Sequence, residues 1–159
     1  MQSEYKHCDT SDACLSLHDC VASKVSLENG VLSFYFDNGI WICPTHETND
    51  SGEVVRSDAA RVDWFLQDLS EPSITVYVFT EKRFRRAIRK EWSLEKLLDA
   101  INSEKCSLEF LYRYKDDNEE IISCVLGFRK RPFSKECQIQ IAFSRVEYRW
   151  NDLCKDKVW

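Results

Sequence analysis

Residues 18–43 alternate apolar and polar positions around two Asn-Gly pairs, Asn29-Gly30 and Asn38-Gly39. Both residue types tolerate the positive φ that a two-residue hairpin turn needs. A turn at Asn29-Gly30 sets Leu27 opposite Leu32, Val25 opposite Phe34 and Ser23 opposite Phe36. A turn at Asn38-Gly39 sets Phe36 opposite Trp41 and Phe34 opposite Cys43. The pattern therefore predicts a three-stranded meander over 20–28, 31–37 and 40–43. Pro44 ends it, because proline cannot donate to a ladder. A one-residue slip would turn Val25 to solvent, so pattern and turn chemistry support one register. Ile40 and Ile42 have opposite parity to Trp41, so the third strand is expected to be covered on both sides.

The rest of the chain is read the same way. Residues 1–17 lack a period and are taken as a loosely ordered start, with a single helical turn at 11–15. Residues 44–58 form a long polar, acidic loop, the kind that is often functional or mobile. Residues 60–69 fit both periods; their neighbours favour a strand. Ile74 to Phe79 is dense in β-branched and aromatic residues and predicts a strand. Residues 82–92 are expected to pair back on it. One clear helix is predicted near 94–103: Ser93 is a good cap, and Leu94, Leu97, Leu98 and Ile101 make one apolar stripe. Leu108, Phe110, Tyr112 and Tyr114 share a parity. Residues 116–119 turn the chain, and 121–128 return. In the last strand, 137–150, Ile139, Ile141 and Phe143 share one parity and Val146, Tyr148 and Trp150 the other, which predicts a bulge near Ser144-Arg145. The fold class is α+β: a large, curled, mostly antiparallel sheet of about seven to nine strands with one main helix, in a single domain spanning 1–159.

Composition narrows this picture modestly. A chain of 159 residues with 43% hydrophobic content can bury a substantial core. The net charge of −5 disfavours a nucleic-acid partner in general. The N-terminus carries no apolar signal core, and no apolar run is long enough to span a bilayer. The eight cysteines are therefore expected as free thiols in a reducing cytoplasm.

Candidate chemistry is sparse. His18-Asp19 could be a base and its orienting carboxylate, but neighbours in an extended strand point to opposite faces. His7, Cys8, Cys14, His18 and Cys20 are metal-capable, yet their spacing lacks a zinc knuckle, so no metal is expected. Residues 49–53 are too short and ill-spaced for a calcium loop. Four glycines, two of them in hairpins, leave none for a phosphate-cradling loop. No catalytic group and no cofactor are assigned. A basic run carries Lys82, Arg83, Arg85, Arg86, Arg89 and Lys90, and with Arg129, Lys130 and Arg131 it could form a phosphate-binding stripe. Carboxylates gather at Glu47, Asp50, Glu53 and Asp58, and again at Asp116, Asp117, Glu119 and Glu120, where they could steer a basic protein partner.

The segment Leu17-His18-Asp19-Cys20, followed by alternating Val21, Val25 and Leu27, then Leu32, Phe34, Phe36, Gly39 and Trp41, resembles the opening of small β-rich bacterial immunity proteins. These belong to contact-dependent inhibition and related polymorphic toxin systems. The resemblance covers residues 17–43 and brings no catalytic motif. It implies a cytoplasmic protein that binds and neutralises a cognate toxin domain, often a basic nuclease, with no membrane and no direct nucleic-acid partner. On that reading the contact is placed on the acidic loop at 47–58 or on the hairpin tip at 116–120, with Trp64, Tyr112 or Trp150 as anchors. Two other readings remain: a nucleic-acid or ligand binder using Arg83, Arg85, Arg86 and Arg89, and an enzyme with a site near His18 or His46.

Overall fold

The computed structural model describes residues 5–67, 73–82 and 86–159. The elements in chain order are β1 (His7–Asp9), β2 (Leu15–Ser16), β3 (Cys20–Ala22), β4 (Lys24–Glu28), β5 (Val31–Phe36), β6 (Trp41–Ile42), β7 (Val55–Ser57), β8 (Ala60–Leu66), β9 (Ile74–Lys82), β10 (Arg86–Trp92), α1 (Leu94–Asn102), β11 (Cys106–Asp116), β12 (Glu119–Phe128), β13 (Ser134–Trp150) and β14 (Leu153–Val158). Ten strands form one antiparallel sheet with a main path of β3-β11-β12-β13-β8-β5-β4, and β14-β7-β6-β2 form a second. The expected α+β class holds, with more strands than periodicity predicts. The surplus strands β1, β2 and β7 are two or three residues long, too short to show a period, and β14 carries only Leu153, Cys154 and Val158 as apolar residues.

The long strand β13 joins two halves of the large sheet. Its first half lies between β12 and β9. Its second half lies between β8 and β1. The register shifts between Phe143 and Arg145, where the change of parity predicts a bulge. That extra residue keeps Ile139, Ile141 and Phe143 on the same buried side as Val146, Tyr148 and Trp150. The two ends of the path, β3 and β4, are consecutive in the chain and separated only by Ser23. The sheet therefore curls until its ends meet around one core.

Helix α1 covers the seam. Ser93 Oγ accepts a hydrogen bond from the Lys96 amide, and Leu97, Ala100 and Ile101 face the core. The Asn102 side chain accepts from the Val25 amide at 2.9 Å and donates to the Val25 carbonyl at 2.8 Å. It thus satisfies backbone groups of edge strand β4 that no neighbouring strand reaches.

Several expectations are corrected. The first hairpin has its predicted register, with Val25 opposite Phe34 and Leu27 opposite Leu32. Leu27 is nonetheless 41% exposed. The second hairpin does not form: β5 pairs with β8, and β6 leaves for the small sheet. Asn38-Gly39 still makes a turn, with Gly39 at φ +71°. A Cβ there would meet the Ser57 carbonyl oxygen at 2.0 Å, so only glycine lets the small sheet seat against it. The predicted first strand breaks at Ser23, where the sheet closes. The start of the chain from residue 5 is tied down: β1 pairs with β13 and β2 with β6. Residues 60–66 and 86–92 are strands, as expected. Among the described residues no helix is long and apolar enough to cross a membrane.

Candidate functional site: an exposed aromatic sheet face

The site is built on the β11–β12 hairpin. The register shifts between Phe110 and Tyr112, so Leu108 and Phe110 are buried while Tyr112 and Tyr114 point outward. This corrects the expectation that these four residues share a face; the bulge reverses the alternation. Residues paired across an antiparallel sheet share a face, so the registers define rows. One row is Tyr112, Ser123, Gln138, Tyr77 and Glu91. The next is Tyr114, Ile121, Gln140 and Thr75. Beyond it lie Asp116, Glu119 and Ala142, and on the other side Val21, Glu109, Val125 and Glu136. Tyr112 is 58% exposed and Tyr114 65%. Asp116, Glu119, Glu109, Glu136, Glu91 and, two residues beyond Phe79, Glu81 rim this face. Its one described cation is Arg89, which lies over the Tyr77 ring at 4.5 Å.

The same hairpin has an interior side with opposite chemistry. Glu120 is buried and bonds Arg113 Nε. Trp64 Nε1 donates to Glu120 Oε2 at 2.8 Å, and Arg113 Nη2 donates to the Tyr148 hydroxyl at 2.6 Å. Asp12 adds longer contacts to Arg113 and Lys115. Burial alone would lower the Arg113 pKa, but Tyr148 and Glu120 outweigh it and hold the guanidinium charged. Burial pushes the Tyr148 hydroxyl up, against the pull of Arg113. Glu120, Trp64 and Trp150 therefore leave the list of partner contacts. All three are buried, and Trp150 packs against the rings of His7 and His46.

Next to Tyr112 stands an aromatic cluster. His18 lies 5.4 Å from the Tyr112 ring and 5.5 Å from the Trp159 ring. Trp159 meets Trp41 edge-on at 4.9 Å, and the Arg56 guanidinium lies 4.4 Å from the Trp41 ring. His18 Nδ1 is 2.6 Å from the Leu111 carbonyl, and its Nε2 is 3.4 Å from Asp19. The two do approach, contrary to the strand argument, because Asp19 sits in a turn at φ 56°. His18, Tyr112 and Arg113 help line a groove of about 400 Å³ whose other walls are mostly apolar. His46 has both ring nitrogens engaged, by Thr48 and Asp9.

The other sequence candidates fall elsewhere. Glu47, Asp50, Glu53 and Asp58 belong to the small sheet and its loop, apart from the hairpin tip. Asp50 pairs with Lys155 at 3.0 Å, and that ammonium lowers its pKa. Asn49, buried, donates to the carbonyls of Ile42 and Glu53 and holds the loop closed. Arg83 and Arg85 lie outside the described residues, as does the Arg86 side chain. Lys90 pairs with Val78, on the face opposite Arg89, so the described part of the run is not one stripe. Cys124 and Cys137 are buried free thiols, and burial pushes both up, Cys137 to about 12. Among the described residues no three His, Cys, Asp or Glu side chains converge as a metal site.

Sequence reasoning missed Asp63. It is buried on the outward side of β8, accepts from Ser33 Oγ at 2.6 Å, and binds Arg61 through Nε at 3.0 Å and Nη2 at 2.8 Å. Arg149 approaches it at 3.2 Å and also bonds Glu147, which Arg145 reaches at 3.2 Å. The alternation of Arg61 and Asp63 along one strand was the available signal. No family model, no curated protein and no solved structure matches the chain.

Proposed function

We propose that this chain is a binding protein whose working surface is the outer face of β11, β12, β13 and β9, and that its partner is a positively charged protein. The observation that carries the reading is the composition of that face. Among the described residues, Tyr112, Tyr114, Tyr77 and Ile121 stand among Ser, Thr and Gln, rimmed by six carboxylates against one arginine. Tyrosine supplies large contact area at little entropic cost, and Ser and Gln supply adaptable hydrogen bonds. Unpaired carboxylates at a rim speed encounter with a basic partner and reject acidic ones. Together with the resemblance over residues 17–43, this supports a cytoplasmic immunity protein that neutralises a toxin domain by covering it. Tyr112 and Tyr114 would be the anchors, with Asp116, Asp117 and Glu119 steering.

Co-expression with a candidate toxin domain, taken from the reading frame next to this chain's gene, tests the reading. Cells should survive with the native chain and die with the Y112A/Y114A variant at equal protein level. Death with the native chain, or survival with the double variant, overturns it.

A further inference from the structure

The turn between β12 and β13 reads Phe128, Arg129, Lys130, Arg131, Pro132, Phe133. The Phe128 amide donates to the Phe133 carbonyl at 2.7 Å, which closes the loop and presents its side chains outward. Beside it lies a pocket of about 310 Å³ lined by Lys105, Phe128, Arg129, Lys130, Arg131, Pro132 and Lys135. Five of those seven residues are cations, and none is a carboxylate. A groove of about 500 Å³ shares Lys105, Phe128 and Arg129 and continues past Phe133 and Ser107.

Neutralisation of this cluster is slight. Glu104 reaches Arg129 at 3.6 Å and Asp99 reaches Lys105 at 2.6 Å, both in exposed pairs that hold little energy. In a chain of net charge −5, five cations gathered around one pocket make a local positive field that the total conceals. Aromatic faces stand among these cations. Phe133 is 60% exposed with Arg131 at 5.9 Å from its ring, and Lys135 lies 5.6 Å from the Phe128 ring. Cations alone would suit any anion. Cations around an exposed aromatic platform suit a phosphate joined to a flat ring, which stacks while its charge is neutralised.

We propose that this turn binds nucleotide phosphates, as a free nucleotide or as a unit of a single strand, with Lys130, Arg131 and Lys135 on phosphate and Phe133 stacking on the base. The site lies apart from the outer row of Tyr112 and Tyr114, so it stands or falls independently of the protein-binding reading. It runs against the expectation that the net charge disfavours such a ligand, because the local field here is positive.

Fluorescence anisotropy with a labelled oligothymidylate of about 12 nucleotides tests it on the full chain. Saturable binding should weaken roughly tenfold or more between about 50 and about 200 mM salt. K130E/R131E should lose at least about tenfold of the affinity at the lower salt, and F133A about fivefold with the salt slope unchanged. R89E, on β10, should bind as the native chain does. Circular dichroism checks that each variant is folded. Adenosine monophosphate tells the two sources apart: displacement at matched phosphate concentration assigns the site to single nucleotides, and failure to displace assigns it to the strand. Absence of saturable binding, native affinity in K130E/R131E, or equal displacement by polyglutamate of matched charge overturns the proposal.

Discussion

One sheet has two outer faces that handle charge in opposite ways. On β8 and the second half of β13, Arg61, Asp63, Arg149, Glu147 and Arg145 bind one another across two strands. On β11, β12, β9 and the first half of β13, the carboxylates Glu109, Asp116, Glu119 and Glu136 stand among tyrosines and amides, and the ion pairs of the described residues lie elsewhere. The first face is satisfied within the molecule and has little left to offer a partner. The second leaves its charge and its aromatic area exposed, as the proposed binding surface requires. A count of charged residues does not separate the two; partnership does.

Four experiments would break or sharpen that contrast. The largest effect is expected at the interior pair. R113M leaves Glu120 buried without its cation and should cost about 3–5 kcal/mol in urea unfolding. A loss no larger than that of an exposed substitution would show the pair to be dispensable. D63A comes next, at about 3 kcal/mol, because Arg61 and Arg149 then face each other without the carboxylate between them. The third effect is on pH. Cys137 in the fold is raised to about 12 from an ordinary 9.0, and Cys124 is raised too. Folding then binds the thiol proton more tightly. Stability from these groups is present below pH 9.0 and is lost as pH rises toward 12. Urea midpoints across that window should fall in the native chain and fall less in C124A/C137A. The smallest effect on stability is expected from D116K/D117K/E119K, within about 0.5 kcal/mol. The same variant should slow association with a basic partner roughly tenfold at low salt and little at high salt. A stability loss like that of D63A would show that the rim is structural, and the contrast between the faces would fail.

The hairpin tip shows where sequence reasoning stops. Glu119 and Glu120 read as one acidic cluster with Asp116 and Asp117. In the fold Glu119 joins the outer row opposite Asp116, while Glu120 turns inward to Arg113 and Trp64. Alternation makes neighbours diverge, but only the core decides which of the two is inside. Trp64 and Trp150 illustrate the same limit, since a large aromatic residue in a strand is equally consistent with an anchor and with a core. Tyr112 could be placed outside only through the bulge beside it, and no local pattern announced that bulge. The one at residues 143–145 was legible because apolar residues flank it on both sides and record the change of parity.

By itself the sequence determined the strands from 24 to 36 and 74 to 79, the register of the first hairpin, the helix with its Ser93 cap, and the bulge in β13. Each depends on turn chemistry or on periodicity within a few residues, which the chain carries locally. Tertiary structure decided that Asn38-Gly39 leads into a second sheet, that the large sheet closes at Ser23, and that the two outer faces differ. Those outcomes depend on pairing between strands distant in sequence. The energy of such pairing comes from what the curled sheet brings together, and alternation within a single strand cannot encode it.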